Sequence, residues 1–175
     1  AVPPVLVFTD LESVLPAEGA RRWPHGWQGR ARRAMSGWLK RANDAVIGYG
    51  CLFSPTELLF AEEMQKKNAE LNIVLPCSAS RFGQEHVKKR LGPAWEKRFD
   101  SIIQHASNVH ILCEKSDAQD PANMQFSSLV MDGLALLRAR QLETDIQFIA
   151  LHEDLDPAAA TAGQPLVRLW EAQGR

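Results

Sequence analysis

Little in this chain leans to one sign of charge. Lys and Arg number 20 against 21 Asp and Glu, for a net charge of −1. Binding to nucleic-acid backbones normally shows as a basic excess, so general nucleic-acid binding is set aside. No apolar run approaches the roughly 20 residues of a membrane-spanning helix, and no signal-peptide pattern opens the chain. A cytoplasmic protein with no membrane partner is the expectation. Cysteine is scarce: Cys51, Cys77 and Cys113 are three in number, lack metal-type spacing and each lie in or beside an apolar run. They read as reduced, buried thiols acting as small core residues. The five histidines share neither an i, i+4 pairing nor a cysteine partner, so no metal site is expected. The dinucleotide fingerprint G-x-G-x-x-G is missing as well, and no cofactor is called for.

What is present suits one ordinary domain over residues 1–175, with 45% hydrophobic and 23% charged residues. The chain opens Ala1-Val2-Pro3-Pro4 without methionine, which reads as a module of a longer protein with flanking domains. Pro4 to Asp10 is a buried first strand ending in polar residues. Leu11 to Gly29, rich in Gly, Pro and Trp, is an irregular entry. Arg30 to Ala42 carries Ala31, Ala34, Met35, Trp38 and Leu39 at helical spacing. Asp44 to Gly48 and Leu71 to Leu75 are the second and third strands. Arg81 to Ala106 is helical with an interruption at Gly92-Pro93, and its second half puts Trp95, Phe99, Ile102 and Ile103 on one face. Asn108 to Cys113 is the fourth strand and Glu114 to Pro121 a turn. Ala122 to Leu142 is the longest helix, with Leu129, Val130, Leu134 and Leu137 as its core stripe. Asp145 to Leu151 is the fifth strand, His152 to Gly163 a polar loop and Leu166 to Ala172 a short closing helix. Strands alternating with helices predict an α/β, Rossmann-like open sheet, mostly parallel and five-stranded, with helices on both faces.

The stretch from Asn43 to Ser80 organises the rest. It reads strand, glycine-broken loop, capped helix, strand. Ser54 is an N-cap, Pro55 suits the first helical position, and Glu57 completes a capping box. Gly48 and Gly50, on either side of Tyr49, let the backbone turn and let another molecule come close. In such sheets ligands sit outside the carboxyl ends of the strands. The candidate ligand-binding residues are therefore Gly48, Tyr49, Gly50, Ser54, Thr56 and Glu57, with Thr9, Asp10 and Ser78 at the edges. Glu57 is either a cap alone or an acceptor for ribose-type hydroxyls, since its charge would repel a phosphate.

Other chemistry is weaker. Arg21, Arg22, Arg30, Arg32 and Arg33 form one basic cluster, read as a solvated face or as an anion- or partner-binding edge. Ser78 and Ser80 lack a visible histidine–acid relay. Asp132 interrupts the apolar face of the longest helix and is either buried and hydrogen-bonded or on the helix surface. Val7-Phe-Thr-Asp-Leu-Glu-Ser-Val-Leu15 resembles the first motif of haloacid-dehalogenase-like phosphatases, which implies Asp10 as nucleophile. Glu12 stands where that family has its second aspartate, and Ser13 replaces a glycine.

A broader resemblance spans nearly the whole chain. Val5-Leu-Val-Phe-Thr with Arg22-Trp-Pro, Ile47-Gly-Tyr-Gly running to Glu57-Leu-Leu-Phe-Ala-Glu62, Ala69-Glu-Leu-Asn-Ile-Val-Leu-Pro76 with Trp95-Glu-Lys-Arg-Phe99, and Asp132-Gly-Leu-Ala-Leu-Leu-Arg-Ala139 follow one another in order. Together they resemble the SLOG superfamily, Rossmann-like domains related to the LOG nucleotide-processing enzymes. The likeness is to SLOG-like domains that accompany bacterial nucleotide cyclase or tetratricopeptide-repeat signalling and defence modules. It departs from them at Pro55-Thr56-Glu57, where Gly-Ala-Asp is usual, and at Asp10-Leu11, where Gly-His is usual. The Pro-Gly-Gly-x-Gly-Thr motif of the LOG hydrolases is missing too.

The resemblance implies a regulatory or sensor module for a nucleotide-derived small molecule, and it leaves open whether the chain is an enzyme. The alternative is a degenerate interaction or scaffold domain of a multidomain protein, including association with further copies of itself. A hydrolase, N-glycosidase-like or phosphatase through Asp10, is the third reading.

Overall fold

A computed structural model describes residues 2–9, 26–41, 45–150 and 169–170. Five parallel strands form the sheet: β1 (Val5–Thr9), β2 (Ile47–Gly50), β3 (Glu70–Leu75), β4 (Asn108–Ile111) and β5 (Ile146–Ala150). A two-residue strand, β6 (Leu169–Trp170), joins the far edge of β5 antiparallel, so the spatial order is β4-β3-β2-β1-β5-β6. The α/β Rossmann-like architecture expected from the sequence is what the chain adopts. The closing helix expected at 166–172 is corrected at 169–170, where the chain is extended. The open edge of β5 offers unpaired backbone groups, and pairing with them outweighs a helical pattern too short to nucleate. The remainder of that expectation, with the loop at 152–163 and most of the entry at 11–29, lies outside the described residues.

The helices are α1 (Trp27–Arg41), α2 (Pro55–Lys66), the short α3 (Ala79–Phe82) and α4 (Lys89–Leu91) joined by a π-helical segment (Gly83–Lys88), then α5 (Pro93–His105) and α6 (Pro121–Leu142). Successive steps from β1 to β4 move one way across the sheet, and the step to β5 returns past β1. With right-handed crossovers that puts α1, α2 and α5 on one face and α6 on the other. The packing agrees, since α2 lies between α1 and α5 while α6 crosses β1, β2, β3 and β5. The break expected at Gly92-Pro93 is present, with Gly92 at φ +98° and Pro93 opening α5.

The core is continuous, from Val5, Leu6 and Phe8 through Leu58, Leu59 and Met64 to Phe82 and Phe99. Asn72 is the buried polar residue among the strands. It donates to Gly48 O at 3.3 Å and Glu70 Oε1 at 3.2 Å, and accepts from Asn108 at 2.8 Å, tying the starts of β2, β3 and β4 together.

Two sequence expectations about burial are corrected. Cys113 is exposed, just past β4, while Cys51 and Cys77 are buried free thiols. The core stripe of α6 is a different one: Ser127, Met131, Ala135 and Ala139 face the sheet, whereas Leu129 and Leu137 are exposed and Val130 and Leu134 half-buried. Small residues let the helix backbone lie close to the strands. Because α6 is apolar all round, periodicity in the sequence does not select its inner face.

Candidate functional site

The reversal of strand order falls between β1 and β5, where open α/β sheets place their ligands. A hollow lies there, lined by Phe8, Thr9 and Ile149 from the strand ends, Met35 and Trp38 from α1, and Thr56, Glu57 and Phe60 from α2. It is narrow: a cavity of about 10 Å³, room for roughly one water.

The filling comes from the protein itself. A Cβ on Gly50 would lie 2.2 Å from the ring of Phe8, and one on Gly48 would lie 2.2 Å from Met64 Cε. Phe8 also stacks obliquely on Phe60, centroids 4.8 Å apart. The two glycines make room for buried side chains of β1 and α2. Tyr49, between them, points to the opposite face because side chains alternate along a strand. Burial and then the neighbouring Glu70 carboxylate raise its phenol pKa, while Arg138 of α6 pairs with that carboxylate at 3.4 Å.

The helix start is closed as well. Ser54 Oγ accepts the Glu57 N–H at 3.3 Å and shares a hydrogen bond with Thr56 Oγ1 at 2.9 Å. Glu57, 3% exposed, accepts the Phe53 N–H at 2.5 Å, so the capping box expected from Ser54 and Glu57 is present, reaching one residue further back than usual. Between strand and cap, Leu52 is fully buried in a left-handed conformation, φ +62°. Such a backbone is strained for a bulky residue and persists only where its surroundings hold it.

His86 supplies part of that hold. Its Nε2–H donates to Phe53 O at 2.9 Å, and its ring stacks on Phe82 with centroids 4.6 Å apart. Burial, opposed by that hydrogen bond and assisted by nearby Arg90, pulls its pKa down to about 4. The imidazole is therefore neutral near pH 7, and Nδ1 is buried without a partner. His86 lies on the π-helical segment, whose extra residue per turn aims it at the loop. No sequence pattern flagged it.

Of the residues singled out from sequence, Thr9, Thr56 and Glu57 meet at the hollow. Gly48, Gly50 and Ser54 support its wall, Tyr49 faces away, and Ser78 stands at the end of β3, two strands from β1. Asp10 lies outside the described residues, as do Arg21 and Arg22. Asp132 is half-buried, and burial raises its carboxyl pKa. Among the described residues no three His, Cys, Asp or Glu side chains converge as a cation site, and no helix is long and apolar enough to cross a membrane.

Within the basic cluster, Arg32 has structural partners. Arg32 of α1 reaches Glu62 at 2.5 Å and Glu63 at 2.7 Å, and Arg98 of α5 grips Glu62 through both oxygens at 2.6 and 2.7 Å. Burial opposes the Glu62 charge, but hydrogen bonds and charge from Arg98 and Arg32 outweigh it and hold the carboxyl below its ordinary pKa. Arg98 also lies 4.0 Å over the Trp95 ring, which stacks on Trp27. This network binds α1, α2 and α5 into one layer; Arg33 stays exposed. Searches of protein-family models and of curated proteins find no match to this chain.

Proposed function

We propose that this chain is an association module: a Rossmann-like domain, degenerate in the SLOG-like sense, that works through contacts with other protein in a cytoplasmic signalling or defence assembly. The observation that carries this reading is the filling of the crevice. Phe8 and Met64 occupy the space before Gly50 and Gly48, and Glu57 is engaged with the Phe53 amide, so the amides and the hollow are used internally. A nucleotide pocket is usually some hundreds of Å³, far above the cavity at hand.

A sensor of a nucleotide-derived molecule is the second reading. It is favoured by the position of Thr9, Thr56 and the hollow at the reversal of strand order. Thermal-shift measurements with nucleotides and their cyclic and ribosylated derivatives separate the two. Binding to the folded state alone raises the melting temperature by mass action. No rise is expected; a saturable rise abolished by Thr56→Val would favour the sensor.

A further inference from the structure

Resting on the association reading, we infer that the outer face of α6 docks a second copy of this chain, as an antiparallel helix pair crossing at Gly133. Phe126, Leu129, Leu136 and Leu137 are 58%, 63%, 40% and 56% exposed, although the opposite row of the same helix already covers the sheet. A helix apolar on both sides is expected to be buried on both sides, and a contiguous apolar patch of this kind marks an interaction surface.

The pattern of the stripe selects the occupant. Counting from Gly133, Val130 and Leu136 stand three residues to either side, Leu129 and Leu137 four, and Phe126 and Arg140 seven. A two-fold axis at Gly133 would set Leu129 on Leu137 and an arginine over a phenylalanine ring at each end, with Leu136 beside the half-buried Val130, which also packs against its own core. At the centre, a Cβ on Gly133 would meet nothing within 4 Å, so two backbones can approach closely. The four large side chains present on the order of 400 Å² of apolar surface per copy. With the flanking stems, the pair reaches roughly 1,000–1,200 Å², the lower end of a specific interface.

Sedimentation equilibrium on the full chain tests it. Wild type should show a concentration-dependent mass approaching twice the 19.5 kDa of one chain. Leu129→Lys and Leu137→Glu should each sediment as monomers, with unchanged far-UV circular dichroism because both positions are exposed. The two together in one chain should restore the dimer, since the new ammonium of each copy would then face the new carboxylate of the other across the axis. A wild type still monomeric at about 100 μM, well above the range of a modest interface, would overturn the inference. So would a dimer that both single charges leave intact. The crevice reading fails separately, on a nucleotide-dependent thermal shift, whatever the sedimentation result.

Discussion

The ring of Phe8 stands where any side chain at residue 50 would have to go, its Cε2 and Cζ 2.2 Å from the Cβ that Gly50 lacks. A rigid aromatic ring cannot step aside, whereas Met64, before Gly48, can bend at its thioether. Gly50→Ala should therefore cost about 2 kcal/mol and Gly48→Ala about 1 kcal/mol, as overpacking of a full core. Adding Phe8→Leu to Gly50→Ala should recover part of the loss, because the two positions are coupled. Urea unfolding of Gly50→Ala, Gly48→Ala, Phe8→Leu and the Phe8→Leu/Gly50→Ala double checks this; equal costs at residues 48 and 50, or additive effects at 8 and 50, would contradict it.

The left-handed Leu52 inverts a familiar ranking. Glycine normally destabilises a position relative to alanine, but at φ +62° alanine retains a Cβ penalty of about 1 kcal/mol that glycine avoids. Both Leu52→Gly and Leu52→Ala lose the buried side chain. The glycine variant should be the more stable of the two by about 1 kcal/mol in chemical denaturation.

Glu62 joins three helices through two arginines. Removing it in Glu62→Ala leaves Arg32 without one of its two carboxylate partners and Arg98 without its forked one. The side chains involved are 18–31% exposed, so solvent screens part of the loss, and a cost of about 2 kcal/mol is expected. The melting temperature should fall, and it should fall less in high salt, where the pair contributes less.

His86 makes stability depend on pH in a defined window. Its folded pKa of about 4 lies below the ordinary 6.5, so between those values the unfolded chain binds a proton that the folded chain refuses. Stability should be complete above pH 6.5, decline as pH falls toward 4, and flatten below, by up to about 3 kcal/mol. His86→Gln, which can still donate to Phe53 O but does not titrate, should flatten the profile between pH 6.5 and 4.5. An unchanged slope in that variant would assign the effect elsewhere.

The strand–helix alternation was legible because its signals are local: the cap at Ser54, the proline after Gly92 and the apolar runs all act within a few residues. The filling of the crevice was not, because it joins Gly50 to Phe8 across 42 positions and two glycines on one strand face read equally well as space for a ligand. A large aromatic on the neighbouring strand is the complement that points to packing instead. Helix α6 misled for a related reason. Where leucines surround a helix, only tertiary contact reveals that Ser127 and Ala135, not Leu129 and Leu137, meet the sheet. His86 carries no sequence signal at all, since its role depends on a π-helical segment and on a carbonyl 33 residues away.

The most direct measurement is an amide NMR titration of the labelled chain with millimolar adenosine and guanosine nucleotides and their cyclic and ribosylated forms. With Phe8 and Met64 filling the space before Gly50 and Gly48, the signals of Gly50, Phe53, Thr56 and Glu57 should stay in place. Saturable shifts clustered on those four amides would contradict the account and restore the strand ends as a ligand site.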